Sequence, residues 1–548
     1  MAYNLASALF EMAVSHPDTL AIALPAEPGK PLPKSGPIPY NEISFKELAE
    51  ETNSISRGLL AWGFEAGDRV VLMVPPGFEF ITISFAFLQA GIIPVLIDPG
   101  IGIKNLKKCI DEAKPIGFVG ITKAHIARLV LGWGRATIKK KITLGPRLFW
   151  GGGLLKKIRE AGHSEAAPIC FDAHANDLAG IFFTSGSTGV PKGVMSTHGN
   201  MQAQVEMIRN TYDIKPGEID LPTFPPFALF NPTVGMSTVI PDMNPTKPAQ
   251  VDPERIIRAL QQFKVTNMFG SPALLDRVGR YVEANNIKIP TLNRVLSAGA
   301  PVPAKTLRRF SRMLNPTCQI FTPYGATESM PVASIGSHQI LKEEIQKHTE
   351  TGGGICIGKP VDNLEARVIR ITDEPIECWS EELEVRQGQI GEIVVKGKNV
   401  TQAYFNRDAA TKLAKIKDGE SFRHRMGDLG YLDAEGNLWF CGRKAHRVKL
   451  AGKELYSVQC ESILNKHSKV HRTALVGVRG KAVLCVEIDK DVVSPNRERL
   501  KKELLELAAE NELTQDIQTI FFHPSFPVDI RHNAKIFREK LAVWAGTQ

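Results

Sequence analysis

The residues best suited to chemistry stand in a stretch rich in glycine and hydroxyl side chains, from Thr184 to Lys192. The apolar run Leu178 to Phe183 precedes it and predicts a buried strand that breaks off abruptly. Glycines let backbone N–H groups come close to a ligand, the hydroxyls add donors, and the lysine adds a positive charge. Such a loop suits a polyphosphate. The candidate phosphate contacts are Thr184, Ser185, Gly186, Ser187, Thr188, Gly189 and Lys192.

Two other interpretations of this loop have to be weighed against a phosphate site. The first is a flexible Gly/Ser linker, but linkers rarely follow a Phe-Phe strand or end in Pro-Lys-Gly. The second is the P-loop of the NTPases, G-x-x-x-x-G-K-[ST]. Counted from Gly186, its second glycine falls on Pro191 and its final hydroxyl residue falls on Gly193. The stretch therefore predicts a phosphate loop of another kind.

The size and composition of the chain indicate a multidomain globular protein. At 548 residues it is too long for a single ordinary core, so two or more domains are expected. Its 43% hydrophobic and 23% charged residues are typical of soluble proteins. The net charge of +9 is compatible with anionic ligands or membrane surfaces, but it is spread too widely to indicate nucleic acid. We therefore expect no nucleic-acid partner.

The cysteines indicate a reducing compartment. Eight occur, all singly and without a C-x-x-C pair, which argues against a zinc ribbon and against a disulfide framework. The first residues lack a basic stretch followed by an apolar core and so do not predict a secretory signal. Apolar runs such as Phe80 to Ala90 are too short to span a bilayer. These features predict a cytoplasmic protein.

The elements around the loop alternate as they do in α/β proteins. Gly67 to Pro75 predicts a turn and a strand, Phe80 to Ala90 an apolar helix, and Ile92 to Ile97 a second strand. This order implies parallel pairing with helices on both faces of the sheet. Residues 355 to 405 alternate short strands with glycine turns and predict an antiparallel β segment. The residues from 442 onward predict a small α+β domain.

Residues 133 to 160 combine basic and aromatic side chains. Lysines and arginines surround Phe149, Trp150, Leu154 and Leu155. If the aromatic rings are exposed, the segment could rest on an anionic lipid surface or on a partner protein. The other interpretation is a solvated loop with an ordinary hydrophobic staple.

Further motifs follow the loop in a fixed order: Ser297 to Pro301, Tyr324 to Glu328, Gly427 to Tyr431, Gly442 to Lys444, and Asp529 to Arg538. Together with the loop they resemble the AMP-forming adenylate enzymes, the superfamily of acyl-CoA synthetases, luciferases and peptide-synthetase adenylation domains. The resemblance covers nearly the whole chain. It implies an α/β fold with a large N-terminal domain, made of two packed αβ subdomains and a β-barrel-like subdomain, and a small mobile C-terminal α+β lid. We expect the core in residues 1–441 and the lid in residues 442–548.

The resemblance also implies ATP and Mg²⁺ as cofactors and a role for each motif. The loop would hold the β- and γ-phosphates, Tyr324 would stack on adenine, Thr327 would bond the α-phosphate, and Glu328 would hold Mg²⁺. Asp428 would accept the ribose hydroxyls. Further nucleotide contacts would come from Gly299, Ala300, Pro301, Gly325 and Arg443, with Lys444 at the lid pivot. Lys535 would bridge the carboxylate and the α-phosphate, so the catalytic candidates are Lys535, Thr184 and Glu328.

Some of these residues have a plainer interpretation. Without its flanking motif, Glu328 would read as a carboxylate at a helix N-terminus, and Asp428 as an ordinary turn residue. Lone basic residues such as Arg443 and Lys444 are most often solvated, so their roles rest on the resemblance.

Departures from the common pattern cluster on the lid and near the acyl site. On the lid, common CoA ligases have Ser-Gly-Lys where this chain has Asn533-Ala-Lys535, an Asp where it has His446, and Glu-Ile-Glu where it has Gln459-Cys-Glu461. Near the acyl site, many acyl-CoA synthetases have Phe-His where this chain has Phe227-Ala228. The sequence from Pro527 to Lys540 is similar to that of one branch of the superfamily, the olefin β-lactone synthetases of bacterial long-chain hydrocarbon synthesis. That branch implies a long-chain 2-alkyl-3-hydroxy fatty acid, whose own β-hydroxyl closes a lactone after adenylation. Other enzymes of the hydrocarbon pathway would be its partners.

Two alternatives to this function stay open. A long-chain acyl-CoA ligase would share every ATP motif, and a non-catalytic nucleotide- or acyl-binding scaffold would share some of them. The base for the hydroxyl is also open. His198, His424, His446 and His532 are candidates only because imidazole titrates near neutrality.

Overall fold

The computed structural model describes residues 3–184, 191–489, 492, 496–529 and 535–548. Its strands are β1 Leu20–Pro25, β2 Tyr40–Ser44, β3 Arg69–Met73, β4 Ile93–Ile97, β5 Gly117–Ile121, β6 Lys140–Leu144, β7 Gly153–Leu154, β8 Leu178–Thr184, β9 Lys192–Thr197, β10 Ile219–Pro222, β11 Ser237–Val239, β12 Asn267–Phe269, β13 Arg294–Leu296, β14 Gln319–Ala326, β15 Ser329–Gly336, β16 Ile355–Pro360, β17 Leu364–Ile369, β18 Gly391–Gly397, β19 Lys415–Asp418, β20 Ser421–Leu432, β21 Leu438–Arg443, β22 Val448–Leu450, β23 Lys453–Leu455, β24 Val470–Val478, β25 Lys481–Ile488 and β26 Thr519–Phe522.

The α-helices are α1 Leu5–Ser15, α2 Phe45–Ala61, α3 Phe78–Ala90, α4 Ile103–Ala113, α5 Thr122–Val130, α6 Leu155–Gly162, α7 His198–Thr211, α8 Pro253–Gln262, α9 Pro272–Asn285, α10 Ala304–Ser311, α11 Ser337–Ile340, α12 Glu343–His348, α13 Asp408–Ala414, α14 Ser457–Asn465, α15 Arg497–Ala509 and α16 Arg538–Ala545. Within the described ranges, no helix has the length and apolar character needed to cross a bilayer.

The first sheet has seven strands in the order β7-β6-β5-β3-β4-β8-β9. All neighbouring strands from β7 to β8 run parallel, and β9 returns antiparallel to β8. The predicted order β3, α3, β4 with parallel pairing is therefore confirmed. Parallel strands are covered on both faces, so their sequences are nearly continuous apolar runs.

The second sheet joins a parallel part to an antiparallel part. β1, β11, β10, β12, β13 and β14 pair in parallel, and β15 to β21 continue the sheet with antiparallel pairs. The predicted antiparallel segment at residues 355–405 is β16 to β18 of this part. A large apolar core lies against the first sheet, with Phe45, Phe85 and Phe87 fully buried, and Leu296 and Phe321 of the second sheet pack against it.

The C-terminal unit has a small sheet of its own. β24, β25 and β26 form three strands flanked by α14, α15 and α16, with β22 and β23 as a separate hairpin. Leu484 and Leu504 are fully buried in a core of this unit. The α+β character predicted for this part is thus observed. The domain boundary between residues 441 and 442 stays a prediction, because β21 continues to Arg443 and a short turn, Lys444–His446, leads into the unit.

The basic segment at 133–160 is an integral part of the first sheet. It contributes β6, β7 and α6, and Trp150 is buried at 6% exposure, where its indole nitrogen donates to Thr143 Oγ1 at 3.0 Å. The expectation of exposed aromatic rings is wrong for Trp150, because its ring stacks on His125 at a centroid distance of 5.3 Å. It holds for Phe149, which is 87% exposed.

Candidate active site

The two ends of the predicted phosphate loop are fixed by a strand pair. Thr184 is the last residue of β8 and lies opposite Lys192, the first residue of β9, in the antiparallel register. The apolar side chains of β8 anchor this pair in the core, so the loop is held at both ends. Its central residues, Ser185, Gly186, Ser187, Thr188 and Gly189, lie outside the described residues.

The Tyr324–Glu328 motif forms the tip of the hairpin made by β14 and β15. Thr327 and Glu328 are the two residues between these strands, and the register shifts between Tyr324 and Ala326. The plainer interpretation of Glu328 as a helix N-terminal carboxylate is therefore wrong. A glycine is required at 325, since a Cβ there would lie 2.8 Å from the Ser329 carbonyl oxygen.

Tyr404 connects Glu328 to the phosphate-loop lysine. Its hydroxyl donates to Glu328 Oε1 at 2.6 Å, and the Lys192 ammonium lies 4.9 Å from the centre of its ring. Burial lowers the pKa of Lys192, and Glu328 opposes this shift. Burial, and then the charge of Glu328, raise the pKa of Tyr404, so the phenol remains a hydrogen-bond donor.

The segment that carries Tyr404 joins the antiparallel part to the first sheet. The Met195 N–H donates to the Ala403 carbonyl at 3.2 Å, and the Phe405 N–H donates to the Gly193 carbonyl at 2.8 Å. Arg407 forms a bidentate pair with Glu112, with N···O distances of 3.0 and 2.6 Å. The hairpin that carries Glu328 and the strand β9 are thus both attached to this segment.

A buried lysine is connected to Glu328 through Thr401. Lys415 is 5% exposed, and its ammonium donates to the carbonyl of Thr401 and to its hydroxyl, the latter at 3.3 Å. The Thr401 N–H in turn donates to the Glu328 carbonyl at 2.9 Å. Burial lowers the pKa of Lys415 to about 7, against an opposing effect of Glu328. Burial and then Lys415 hold the pKa of His424 well below its usual value, so this imidazole is neutral.

The predicted ribose carboxylate lies next to Tyr324 and Arg443. The Tyr324 hydroxyl donates to Asp428 Oδ2 at 2.6 Å, and Arg443 Nε lies 3.1 Å from Oδ1 across the β20–β21 pair. Oδ1 is buried, and the angle to the guanidinium leaves it without a hydrogen bond from any described residue. Burial raises the pKa of Asp428, which Arg443 opposes. Asp428 Oδ1 is thus ion-paired with Arg443, and its predicted role as the ribose acceptor stays a prediction.

The Gly299–Pro301 segment follows β13, the strand beside β14. Gly299 has φ +94°, a left-handed conformation that favours glycine. Because β13 and β14 are parallel, the segment and the 324–328 hairpin tip leave the sheet at the same edge. Ala300 is half-buried, and Gly299 and Pro301 are exposed at this edge.

The C-terminal unit brings Lys535 toward the same residues. The Lys535 N–H donates to Asp529 Oδ1 at 2.9 Å, which fixes the backbone at this point. Burial and then Arg443 lower the pKa of Lys535, while Asp529, Glu539 and Asp428 oppose them. Arg443 and Asp428, on β21 and β20 of the second sheet, thus influence the pKa of a side chain in the C-terminal unit.

The turn between the two units is held by buried charges. The Lys444 ammonium lies 3.0 Å from Glu392 Oε2 and donates to the Thr372 carbonyl at 2.9 Å. Glu392 also accepts from Arg425 at 2.6 Å. The segment predicted to pivot is thus attached to the core by an ion-paired network.

The candidate bases differ in location. His198 and His424 are buried, and His532 lies outside the described residues. His446 is half-buried in the turn that follows Arg443. Burial, with Arg538, Arg443 and Lys535 adding to it, lowers its pKa to about 3. It is neutral at neutral pH and lies within electrostatic reach of the two predicted nucleotide contacts.

The arrangement fits a nucleotide better than a multidentate metal site. No group of three or more metal-binding side chains occurs within the described ranges. A single carboxylate such as Glu328 suits Mg²⁺, which keeps several waters and binds phosphate oxygens. Tyr404 and Lys415 were not predicted from the sequence, because neither stands in one of the motifs, and the partner of Tyr404 is 76 positions away.

Comparisons with known proteins agree with this geometry. Residues 9–405 match the model of the AMP-binding enzyme family. The chain is 44% identical to an olefin beta-lactone synthetase of Xanthomonas campestris and 43% identical to one of Stenotrophomonas maltophilia, each over 100% of this chain and 98% of the relative. A long-chain-fatty-acid–CoA ligase of Salmonella typhimurium is 26% identical over 82% of both chains.

Solved structures share the fold. ATP-bound MatB of Rhodopseudomonas palustris superposes with a TM-score of 0.78 at 22% identity, over 100% of this chain and 99% of that one. The amide bond synthetase McbA of Marinactinospora thermotolerans has a TM-score of 0.79 at 19% identity, over 99% of both chains. The family match and the full-length similarity lead to one conclusion: this chain belongs to the AMP-binding enzyme family.

Proposed function

We propose that this protein is an olefin β-lactone synthetase. It would use ATP to activate the carboxylate of a long-chain 2-alkyl-3-hydroxy fatty acid, and the β-hydroxyl would then close the lactone. The observation that carries the proposal is the 44% identity to a protein of that name, which extends over the whole chain and therefore includes the lid.

Adenylation requires a carboxylate to attack the α-phosphate, so negative charge has to be neutralised and positioned. Thr184, Lys192 and the loop between them would hold the β- and γ-phosphates. Asp428 would accept the ribose hydroxyls beside its ion pair with Arg443. Mg²⁺ held through Glu328 would offset phosphate charge, and Lys535 would approach the α-phosphate from the lid.

Lactone closure needs no second substrate. The β-hydroxyl oxygen bonds to the acyl carbon, the bond from that carbon to the AMP oxygen breaks, AMP leaves as an anion, and the hydroxyl proton passes to solvent water. Because the nucleophile is tethered, its effective concentration is high. The low pKa of His446 makes it a weak proton acceptor, so we attribute closure to the tether rather than to a strong base.

The test is product identity without coenzyme A. With a long-chain 2-alkyl-3-hydroxy acid, ATP and Mg²⁺, we expect AMP, pyrophosphate and a β-lactone, detected by mass spectrometry. The matched control is the same acid without the hydroxyl, which should be adenylated but should give no lactone. A product that forms only when coenzyme A is added would refute the proposal.

A second candidate is a long-chain acyl-CoA ligase, which the 26% identity to such enzymes favours. A thioester formed from coenzyme A and the acid would establish it. Pyrophosphate release with any carboxylic acid would exclude a non-catalytic scaffold. We also propose a cytoplasmic location and, as partners, other enzymes of long-chain hydrocarbon synthesis.

A further inference from the structure

The positive charge of the chain is concentrated in one segment. Between Lys114 and Arg159 there are eleven lysine and arginine residues and no aspartate or glutamate. This excess is larger than the net charge of +9 of the whole chain. The expectation that the charge is spread widely is therefore wrong, and the segment calls for an anionic partner.

The segment folds as the outer edge of the first sheet, as β5, α5, β6, β7 and α6. Some of its cations have internal partners: Lys140 lies 3.2 Å from Asp68, and Arg159 lies 2.7 Å from Glu51. Six others are exposed and have no carboxylate within ion-pair distance in the described part of the chain. They are Lys114, Lys123, Arg135, Lys139, Arg147 and Lys157.

Exposed apolar side chains lie among these cations. Phe149 is 87% exposed and Val130 78%, and Ile126, Leu129 and Leu148 are also exposed. Lys123, Ile126, Leu129 and Val130 recur at helical spacing, so they share one face of α5. Five of the thirteen exposed large hydrophobic residues in the described ranges therefore lie between residues 126 and 149.

The exposed Phe149 side chain is supported by buried aromatic rings. Phe149 packs edge-on against Trp150 at 5.9 Å, and Trp150 is buried against His125 of α5. The Thr122 hydroxyl donates to the Pro146 carbonyl at 2.7 Å, which ties the loop to the start of α5. The loop and the helix face thus form one surface, which we call the basic edge: Lys123, Ile126, Leu129, Val130, Arg135, Lys139, Arg147, Leu148 and Phe149.

We propose that the basic edge docks on an anionic lipid bilayer. Cations attract acidic headgroups, and exposed aromatic and aliphatic side chains enter the boundary between headgroups and acyl chains. Nucleic acid would make use of the cations and of a stacking ring, but it has no use for exposed Val130 and Leu148. The combination therefore favours lipid.

The basic edge runs along the length of the outer strands of the first sheet. The Phe149 loop follows the C-terminal end of β6, and the phosphate loop follows the C-terminal end of β8, in a sheet whose strands from β7 to β8 are parallel. Four strand spacings separate β6 from β8, about 19 Å. Only the Phe149 loop and the start of α5 lie at this end, whereas Lys139 precedes β6 and Val130 ends α5. Docking would therefore place the side of the sheet along the bilayer. The inference does not depend on whether the product is a lactone or a thioester.

The test is vesicle flotation of the full chain. We expect binding to vesicles of phosphatidylcholine mixed with phosphatidylglycerol, weak binding to phosphatidylcholine alone, and release by salt. The double variant Lys139→Glu/Arg147→Glu should bind mixed vesicles at least about tenfold more weakly. Phe149→Ser should lower the partition coefficient about tenfold as well, because an exposed aromatic anchor is lost.

Matched controls carry the same changes elsewhere. Lys347→Glu/Lys412→Glu changes the net charge equally at exposed lysines, and Val543→Ser removes an exposed apolar side chain of the lid. Both should bind vesicles as the wild type does. All four variants should retain pyrophosphate release with a short soluble acid, which shows that they are folded. The proposal would be overturned if the variants and the controls lost vesicle binding equally, or if binding did not depend on lipid charge. It would also be overturned if the protein bound DNA but not vesicles.

Discussion

The orientation of Glu328 depends on Tyr404, a residue that stands in none of the sequence motifs. The Tyr404 hydroxyl occupies Oε1 at 2.6 Å and leaves the other oxygen of the carboxylate for a ligand. The same ring supports the Lys192 ammonium at 4.9 Å. Tyr404 therefore contacts both the predicted metal ligand and the predicted phosphate-binding lysine, and we expect it to position them.

Tyr404→Phe should raise the Mg²⁺ concentration needed for half-maximal pyrophosphate release and lower the rate about tenfold at limiting Mg²⁺, because a hydrogen bond to a charged group is lost. Binding of Mn²⁺ in the presence of ATP, measured by electron paramagnetic resonance, should weaken in parallel. The matched control is Tyr212→Phe, which removes a buried hydroxyl 3.1 Å from Ser334 Oγ. If both variants keep the wild-type metal dependence, the positioning role is wrong.

Lys415 makes a pH-dependent contribution to stability. Burial lowers its pKa from 10.5 to about 7, so above pH 7 the folded chain has released a proton that the unfolded chain still binds. Stability therefore rises with pH in this window, by at most about 1.4 kcal/mol per pH unit. In Lys415→Met this rise disappears. Urea midpoints at pH 7 and at about pH 9 should thus diverge between wild type and variant, without Mg²⁺ or nucleotide.

The control for Lys415 is Lys347→Met, at an exposed lysine. It should keep the wild-type pH dependence of the urea midpoint. A Lys415→Met protein with the same pH dependence as the wild type would show that the amine is not held at a lowered pKa.

Residue types were predictable where a motif is local, and partners were not. Lys192, Glu328 and Asp428 stand in short motifs that can be read from one stretch each. Tyr404 lies 76 residues from Glu328, and their contact depends on how a strand segment adds to β9. Trp150 was misjudged for the same reason, because its burial depends on a stacking partner on α5.

At the scale of elements, the β14–β15 hairpin sets the geometry of the site. It carries the predicted adenine, phosphate and metal contacts over a turn of two residues. The sequence predicted the parallel strands of the first sheet and the antiparallel strands at 355–405, since these have clear apolar patterns. It did not predict a hairpin at 324–328, because that stretch is short, polar and without alternation.

Gly325→Ala should disable the hairpin without unfolding the protein. The new Cβ would lie 2.8 Å from the Ser329 carbonyl oxygen, a backbone atom that moves only with the strand. We expect pyrophosphate release to fall at least about tenfold, because a shift of an ångström misplaces the groups at the tip. The thermal midpoint should fall by only a few degrees. Gly77→Ala is the control, since a Cβ there meets nothing within 4 Å. Equal activity of both variants would refute the steric account.

At the scale of the whole molecule, the predicted site draws on residues of the second sheet and of the C-terminal unit. Arg443 on β21 and Asp428 on β20 act in opposite directions on the pKa of Lys535, although Lys535 belongs to the C-terminal unit. Lys444, paired with Glu392 at 3.0 Å, anchors the turn between the units. The sequence predicted a lid and its lysine through the family motif. It did not predict the ion-paired turn, because Glu392 and Arg425 come from distant strands.

Lys535→Ala should separate the two half-reactions. Loss of a cation that acts at the α-phosphate should lower pyrophosphate release at least about a hundredfold, as removal of one transition-state donor does. ATP binding should stay nearly unchanged, because the loop and Asp428 remain. Closure of the lactone from a supplied acyl-adenylate should persist, since the tethered hydroxyl needs no α-phosphate attack.

Lys540→Ala, at an exposed lysine packed on Phe537 at 4.6 Å, is the matched control on the same lid and should be fully active. Unimpaired pyrophosphate release in Lys535→Ala would remove this lysine from the first half-reaction, and loss of lactone formation from the adenylate would place it in the second half-reaction as well.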